Sequence, residues 1–390
     1  MKMEEWKECT VGDICESVSE TYSRKDENVV LINTSDVLEG KFLTHATTKN
    51  ENLKGQFKKT FQKNDILYSE IRPANRRYAF VDFEKTENYI ASTKLMVIRP
   101  NQELVLPRFL FLLLTSSNLI SEMQHLAETR SGTFPQITFS GELATFPIKL
   151  PPLPTQQKIA AILSSLDDKI ELNNKINTNL EQQAQALFKN WFVDFEPFGG
   201  KMPEGWKVGK LSDIAEITMG QSPDGKSYNE DGIGTVFYQG RAEFGTRFPT
   251  RRLFTTEPKR IAKKFDTLMS VRAPVGDLNI ANEDCSIGRG LAAIHSKDNH
   301  QSFVHYTVVS LRPHLDVFNG EGTVFGCINR DALNNMEVII PSKTDLDKFE
   351  QIVSTFDTEI FNRSEENDRL KNIRDTLLPK LMNGEIEIKI

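Results

Sequence analysis

Two long stretches of the chain carry apolar residues in alternating steps of four and three, the spacing of a helix that packs lengthwise along another helix. Every position of the first seam has a counterpart 190 residues later. We predict two paired helices whose mid-seam polar residues fix the register at some cost in stability. The seam positions are Leu163, Leu166, Ile170, Asn173, Asn177, Leu180 and Leu187 in the first helix and Val353, Phe356, Ile360, Arg363, Asn367, Leu370 and Leu377 in the second.

The connection between the two helices favours an antiparallel pair, because the chain must return through a whole globular segment. Such a pair would hold two globular segments apart at opposite ends of a rod. The alternative is two independent amphipathic helices, each covering its own domain. We expect the aromatic residues that end the first helix to pack on a domain rather than bind a ligand; they are Phe188, Trp191, Phe192 and Phe195.

The globular segments that precede the helices are also duplicated, which indicates an internal repeat of the whole unit. The offset is 200 at the start of the copies and 190 at their end, so the second copy has lost about ten residues, where loops usually absorb such changes. We predict an α+β fold with globular segments 1–152 and 197–341 and helical segments 153–196 and 342–390. The matched stretches are Trp6-Lys7 with Trp206-Lys207, Asp65–Ser69 with Asp266–Ser270, Ile71-Arg72-Pro73 with Val271-Arg272-Ala273-Pro274, Gly132–Phe134 with Gly322–Phe325, and Phe146–Pro151 with Met336–Pro341.

The formal net charge of −6 argues at first against a nucleic-acid partner. The acidic excess lies in the helical segments, however, where residues 155–196 hold four basic and six acidic side chains and residues 344–390 hold seven and eleven. Basic groups cluster elsewhere, with nine Lys and Arg against three acids in residues 240–272 and seven against two in residues 54–77. Two local basic patches on an acidic chain are compatible with DNA binding.

Cysteine usage and hydropathy favour a cytoplasmic protein. The four cysteines are scattered without the CxxC spacing of a metal or redox site. The first residues lack the apolar core of a signal peptide, and the longest apolar run, Phe109–Leu114, is too short to span a bilayer. We therefore expect neither secretion nor membrane insertion.

Several motifs together identify a resemblance that covers essentially the whole chain. The stretch from Leu150 to Leu163, followed by Leu166-Asp167-Asp168 and later by Asn190–Phe195, looks like the central helical region of the specificity (S) subunit of a type I restriction-modification enzyme. Gly220-Gln-Ser-Pro223, with Tyr228 and Tyr238-Gln-Gly240 after it, resembles the opening of a target recognition domain of that family, and Leu378–Ile386 resembles the end of its C-terminal helical region.

The resemblance implies two target recognition domains, each reading one half of a bipartite sequence in double-stranded DNA. The helices would act as a ruler for the unread spacer and as the docking surface for two modification (methyltransferase) subunits. Those partners would use S-adenosylmethionine to methylate adenine, and restriction subunits would use ATP and magnesium. This chain would hold no catalytic group, cofactor or metal. Because the copies differ between their shared motifs, we predict two different half-sites.

Two stretches imitate catalytic motifs without their context. Gly220–Ser227 matches the phosphate-loop pattern, but the turn-rich residues after it are not those of a helix. Asp224 with Glu257 and Lys259 loosely spells a metal-dependent nuclease site, yet the spacing is long and a proline separates Glu from Lys. Methyltransferase motifs do not occur, and no cysteine pair accompanies the histidines in a zinc pattern.

The remaining candidates are side chains that can read base edges. Arginine is the natural bidentate partner of guanine, and asparagine of adenine, whereas lysines mostly contact phosphates. Each candidate, taken alone, could equally form a structural ion pair or a phosphate contact. A rival function is a structural adaptor whose two domains bind proteins; the missing cofactor motifs disfavour a fused nuclease-methyltransferase. The candidates are Arg72, Asn75, Arg76 and Arg77 in the first domain and Arg241, Arg247, Arg251, Arg252, Arg272 and Arg289 in the second.

Overall fold

The computed structural model describes residues 6–51, 55–130, 134–319, 326–382 and 384–386. The chain divides into two compact units: unit 1 is Met1–Glu171 with Asn367–Ile390, and unit 2 is Leu172–Glu366. Each unit therefore joins one globular segment to parts of both helical segments. The predicted match of Gly132-Thr133 with Gly322–Phe325 lies outside the described residues.

Unit 1 contains twelve strands among its described residues, arranged mainly in two four-stranded sheets with the orders β2-β11-β8-β9 and β6-β3-β10-β7. In the second of these sheets β3 and β10 run parallel. The strands β1 and β12 pair at the boundary of the globular segment. The strands are β1 Lys7–Thr10, β2 Cys15–Val18, β3 Asn28–Ile32, β4 Val37–Leu38, β5 Lys41–Phe42, β6 Thr47–Lys49, β7 Phe57–Lys59, β8 Ile66–Ser69, β9 Tyr78–Phe80, β10 Tyr89–Ser92, β11 Leu95–Pro100 and β12 Pro147–Leu150.

Unit 2 repeats this topology. Its first sheet has the order β14-β22-β19-β20, and its second has the order β15-β17-β16-β21-β18 with β16 and β21 parallel. The strands β13 and β23 pair as β1 and β12 do. The strands are β13 Lys207–Lys210, β14 Ala215–Met219, β15 Tyr228–Asn229, β16 Thr235–Tyr238, β17 Phe254–Thr255, β18 Ile261–Ala262, β19 Thr267–Ser270, β20 Leu278–Ile280, β21 Cys285–Ile287, β22 Leu291–Ser296 and β23 Glu337–Ile340.

The two long helices are the largest elements, and each has 40 residues. They begin and end 190 residues apart, as the shared seam predicts, and all fourteen seam positions are buried or half-buried. Shorter helices cover the sheets. The helices are α1 Pro107–Leu114, α2 Ser117–Arg130, α3 Leu153–Phe192, α4 Leu211–Ile214, α5 Gln301–Ser310, α6 Arg312–Asp316, α7 Arg330–Asn334 and α8 Lys343–Met382.

Within unit 2 the long helices pair in antiparallel fashion. The Phe192 ring lies 5.0 Å from the Phe349 ring near the end of α3, while Asn173, further back on α3, donates from Nδ2 to Glu366 at 2.8 Å. Arg363 donates to Oδ1 of Asn173 at 3.0 Å, so the predicted polar seam residues do meet. Helix pairing is therefore favoured over two independent covering helices.

The ends of the long helices complete the core of each globular segment. In unit 1, Leu163 and Leu381 join the buried face of α1 in one hydrophobic cluster. In unit 2, Phe188 and Phe192 pack with Phe303 of α5, as the sequence predicts for the aromatic end of α3. The α+β fold with two long antiparallel helices is thus confirmed. No helix among the described residues combines the length and the apolarity needed to cross a bilayer.

Candidate nucleic-acid interface

In unit 1 the candidate site is the loop that leaves β8. Arg72 and Arg76 both adopt the left-handed backbone conformation, with φ of 45° and 52°, which residues other than glycine rarely adopt. The loop is fastened at two points, since Arg72 donates its backbone N–H to Pro135 at 3.1 Å and Ala74 donates to the side chain of Gln124 at 3.0 Å. These contacts hold a strained loop in one conformation.

Four sequence candidates lie on this loop, but they are not equally available. Arg72 and Asn75 are exposed, and their side chains form no hydrogen bond or ion pair with any residue that the structure describes. Arg76 lies 3.9 Å from Glu39. Arg77 donates to the carbonyls of Ser35 and Val37 at 3.2 and 3.3 Å and therefore anchors the loop to that segment of the domain. Arg72 and Asn75 are therefore the two exposed candidates of this loop whose side chains are available.

In unit 2 the candidate site is the edge where β19 ends and β22 begins. Ser270 pairs with Leu291, and Val271 donates to Gly290 at 2.9 Å, so the exposed Arg272 and Arg289 lie on adjacent segments. Neither guanidinium has a hydrogen bond or ion pair to the described part of the chain. The site therefore has two available arginines where these two central strands of the sheet end and begin, a place that we call the edge.

Close backbone packing brings the quoted motifs of unit 2 together at this edge. Gly220 donates to Leu291, and Gly288 donates to Tyr238. A Cβ on Gly220 would lie 2.2 Å from the Gly288 carbonyl oxygen, and one on Gly288 would lie 2.7 Å from the Gln239 carbonyl oxygen. Only glycine fits at these two positions. The motifs Gly220–Pro223 and Tyr238–Gly240 thus build the platform from which Arg289 projects.

The strand register corrects one sequence match between the copies. Ile71 bridges Gln136 in unit 1, while Arg272 bridges Cys327 in unit 2. Arg272 thus corresponds to Ile71, which places Ala273 at the position of Arg72. The match of Ile71-Arg72 with Val271-Arg272 is wrong by one residue, because it followed residue identity rather than backbone pairing. The two copies present arginines from adjacent, non-equivalent positions.

The other four arginines of unit 2 are engaged in ion pairs. Arg241 contacts Asp277 at 2.6 Å, and Arg252 contacts Glu230 and Glu243 at 2.8 and 3.0 Å. Arg251 contacts Glu283, and it also contacts Glu365 at 3.1 Å. These three remain about 35 to 53% exposed, so an external partner could still reach them.

Arg247 differs from the other three arginines because only 11% of its side chain is exposed. It is paired with Glu181 and Asp357. This burial favours a structural ion pair over a contact with DNA, so Arg247 is not part of the candidate interface.

The motif that imitates a phosphate loop lacks the required helix. Gly225–Ser227 forms a single 3-10 turn, and the chain continues directly into β15. Asp224 caps this turn by accepting from the Lys226 N–H at 2.9 Å, which accounts for its carboxylate. No group of three or more His, Cys, Asp or Glu in the described ranges could hold a metal ion.

Sequence reasoning missed two residues that belong to these sites. Gln124 fastens the loop of unit 1 from α2, and its role depends on a contact 50 residues away. Arg260 is exposed beside β21, where its carbonyl accepts from Ile287 at 2.9 Å, and its guanidinium has no partner in the described ranges. The basic patch 240–272 contained the signal for Arg260, but composition alone could not separate it from its paired neighbours.

A buried histidine lies against the first residue of β19 in unit 2. His305 contacts the Thr267 hydroxyl through Nδ1 at 3.1 Å, and burial lowers its pKa well below the ordinary 6.5, with the nearby Arg247 guanidinium acting in the same direction. Below about pH 6.5 the unfolded chain takes up this proton and the folded unit does not. As the pH is lowered below this value, we expect this group to decrease the free energy of unfolding of unit 2 by up to ~1.4 kcal/mol for each pH unit.

The measurement is urea denaturation of the wild type and His305→Gln between pH 7 and pH 5. The slope of stability against pH should be smaller in His305→Gln. His314→Gln, at an exposed position of the same unit, is the matched control and should keep the wild-type slope. Equal slopes in the wild type and His305→Gln would contradict a neutral buried imidazole.

Comparison with known proteins gives the family. The sequence matches the family described as "Type I restriction modification DNA specificity domain" over residues 3–182 and 203–372. It is 35% identical to the type I restriction enzyme HindI specificity subunit of Haemophilus influenzae, over 98% of this chain and 100% of that protein. It is 29% identical to the type I restriction enzyme MjaIX specificity subunit of Methanocaldococcus jannaschii, over 68% of this chain and 66% of that protein.

A solved structure supports the fold. The crystal structure of the type I restriction-modification system S subunit from M. genitalium matches 100% of this chain and 98% of its own chain, with a TM-score of 0.61 and 16% sequence identity. The expected resemblance is confirmed by the duplicated family match and by relatives that are specificity subunits rather than catalytic ones. This chain belongs to the type I restriction modification DNA specificity family and is a non-catalytic specificity subunit of a type I restriction enzyme.

Proposed function

We propose that residues 1–152 and 197–341, the first and second recognition domains, read two different half-sites of one bipartite DNA sequence. The paired long helices set the length of the unread spacer. They also carry the docking surface for two modification subunits and for restriction subunits. The subunits that dock supply the chemistry: S-adenosylmethionine-dependent methylation of an adenine flipped out of each half-site, and ATP- and magnesium-dependent restriction.

The observation that carries the proposal is a repeat that preserves its framework and varies its reading edge. Helix register and the order of the first sheet are the same in both units, and the second sheet differs only by the extra strand β15 in unit 2. The exposed unpaired side chains differ, with Arg72 and Asn75 in unit 1 and Arg272 and Arg289 in unit 2. Since arginine pairs with guanine and asparagine with adenine, different side chains on one framework favour different half-sites.

Charge supports a division of labour between domains and helices. The helical segments carry the acidic excess of the chain, whereas the recognition domains carry the basic patches. Phosphates are attracted to the patches and repelled by the helices. The helices are therefore suited to protein partners and the domains to DNA.

The cysteines agree with a cytoplasmic location, where such an enzyme meets DNA. All four (Cys9, Cys15, Cys285 and Cys327) are free thiols, and burial raises the pKa of the Cys15 thiol to about 12. Thiols that stay protonated and unpaired are typical of a reducing compartment.

The experiment is co-expression of the full chain with the adenine methyltransferase subunit from its operon, followed by genome-wide mapping of methylated adenines. We expect one asymmetric split sequence. The double variant Arg72→Ala/Asn75→Ala should lower methylation at the native sequence by roughly tenfold or more and relax only the first half-site, because each bidentate contact is worth about 1–3 kcal/mol of discrimination. Arg272→Ala/Arg289→Ala should relax only the second half-site.

Arg330→Ala is the matched control, since Arg330 is an exposed arginine of the second recognition domain outside the proposed edge. It should leave methylation and both half-sites unchanged. Failure of the wild type to direct methylation to any split sequence would overturn the proposal in favour of an adaptor that binds proteins. Equal loss at all sequences, without relaxed half-sites, would reassign the four side chains to phosphate contacts.

A further inference from the structure

Arg247 joins the second recognition domain to both long helices. Its guanidinium pairs with Glu181 on α3 and with Asp357 on α8, and both Nη atoms lie 3.3 Å from the Tyr306 hydroxyl on α5. Its own backbone is fixed in the domain, where its carbonyl accepts from Ile280 at 2.8 Å. One side chain thus contacts both long helices and α5 of its own domain within unit 2.

The loop around Arg247 continues this contact along one face of α8. Phe361 follows Asp357 by one helical turn, and its ring contacts those of Phe248 and Phe265 at centroid distances of 5.5 and 5.3 Å. Lys264 places its Nζ 4.1 Å from the centre of the Phe361 ring. These contacts, together with the Arg247 ion pairs, form what we call the clasp.

The counterpart in unit 1 has a different construction. Asp167 occupies the position of Asp357 in the repeat, and Arg374 of α8 contacts it at 2.9 Å. The position equivalent to Arg374 in α3 is Ala184, which is fully buried and carries no charge. The carboxylate at this position is thus contacted in unit 1 by Arg374 of the helix pair and, at a longer distance, by Arg108 of the globular segment, whereas in unit 2 its basic partner is Arg247 of the recognition domain.

This difference gives Arg247 a role that a surface ion pair lacks. Breaking a buried pair leaves uncompensated charges, so the clasp resists rotation of the domain on the helices. The planar guanidinium can bind two carboxylates at once from fixed directions, which a lysine ammonium does less well. An interaction of this kind fixes the orientation of the domain on the two helices as well as its distance from them.

We propose that Arg247 is a positioning residue that fixes the second recognition domain on the helix pair, and so restricts the enzyme to one spacer length. The inference rests on the proposed function. It assigns spacer selectivity to a side chain that does not touch DNA. The first recognition domain contacts α3 through Arg108, 3.6 Å from Asp167, and through the more exposed Lys41–Glu171 pair.

The experiment uses the full chain with its methyltransferase subunit and maps methylated adenines in a plasmid library. The library holds both native half-sites separated by the native spacer or by one or two base pairs fewer or more. For Arg247→Met we expect methylation at off-length spacers to rise at least tenfold relative to the native spacer, with both half-site sequences unchanged. Arg247→Lys should give an intermediate ratio.

Phe361→Ala loosens the clasp without leaving a buried charge, so it tests the inference even where Arg247→Met fails to fold. It should broaden the accepted spacers in the same way, and the Arg330→Ala control should not. Wild-type spacer selectivity in both folded variants would overturn the inference while leaving the proposed function intact. A changed second half-site in Arg247→Met would overturn it as well, because Arg247 would then read bases. A wild type that methylates no split sequence would overturn the proposed function itself.

Discussion

Replacing Gln156 by alanine is expected to lower the free energy of unfolding of unit 1 by about 3–5 kcal/mol, since each buried polar group left without a partner costs about 1–3 kcal/mol. Gln156 lies at the start of α3 and is fully buried. Its Oε1 accepts from the Leu106 N–H at 2.9 Å, and its Nε2 donates to the carbonyls of Leu104 and Pro151 at 3.0 and 2.8 Å. Alanine would remove all three hydrogen bonds, leave the buried Pro151 carbonyl without this donor and open a cavity beside it.

The neighbouring Gln157 provides the control, because it is the same residue type in the same helical turn but is exposed. Gln157→Ala should change stability by less than ~0.5 kcal/mol. The measurement is urea denaturation combined with hydrogen exchange of α1, because Leu106, the residue before α1, loses the acceptor of its N–H in Gln156→Ala. Faster exchange in α1 without faster exchange in unit 2 is the expected pattern. Equal stability of the two variants would show that the three hydrogen bonds contribute little.

Features with a local period were predictable from the sequence. The seam repeats every three or four residues, and the helices Leu153–Phe192 and Lys343–Met382 begin within one residue of the predicted segments and end four and eight residues before their predicted ends. The duplication predicted one topology for both globular segments, because the same framework residues build the same sheets. Long helices can be predicted from a sequence because their apolar positions recur every three or four residues, and repeats because matched stretches can be compared directly.

The roles of individual polar residues depend on partners that are distant in the chain. Arg247 was an attractive base reader by type and by its basic neighbourhood, yet its partner Asp357 lies 110 residues away. Gln156 belonged to the motif that begins at Leu150, but two of its three hydrogen bonds require the loop before α1. Periodicity cannot indicate such pairs, because they form only when two elements pack. The candidate base readers that remain are those whose side chains have no partner in the described part of the chain.

The repeat also contains one position where the same residue has two different partners. Asp65 in unit 1 and Asp266 in unit 2 both accept a backbone N–H three residues earlier in the chain, at 2.8 and 2.7 Å. Arg99 binds Asp65 through two nitrogens at 2.9 and 2.8 Å, whereas His295 contacts Asp266 at 2.5 Å. The sheets are equivalent, so the chemistry of the partner is the main difference.

Asp65→Asn is therefore expected to destabilise unit 1 by about 3–5 kcal/mol, the usual effect of breaking a buried ion pair. The Asp65 side chain is only 1% exposed, and an asparagine amide would place donors against the Arg99 guanidinium. Asp266→Asn at pH 8 should change the stability of unit 2 by less than ~1 kcal/mol. Burial raises the pKa of Asp266, so its charge is less favoured than that of an exposed carboxylate, and the Oδ1 of an asparagine can still accept from the Lys263 N–H.

Hydrogen exchange of β8 and β19 at pH 8 separates the two effects, because each strand reports on its own unit. Exchange in β8 should accelerate strongly in Asp65→Asn, while exchange in β19 should change little in Asp266→Asn. The reciprocal variant Arg99→His places the partner from unit 2 into unit 1. With it, the cost of Asp65→Asn should shrink toward that of Asp266→Asn, since the guanidinium no longer faces an amide. Equal costs in the two units of the parent chain would mean that the backbone hydrogen bond, and not the charged partner, accounts for the stability at this position.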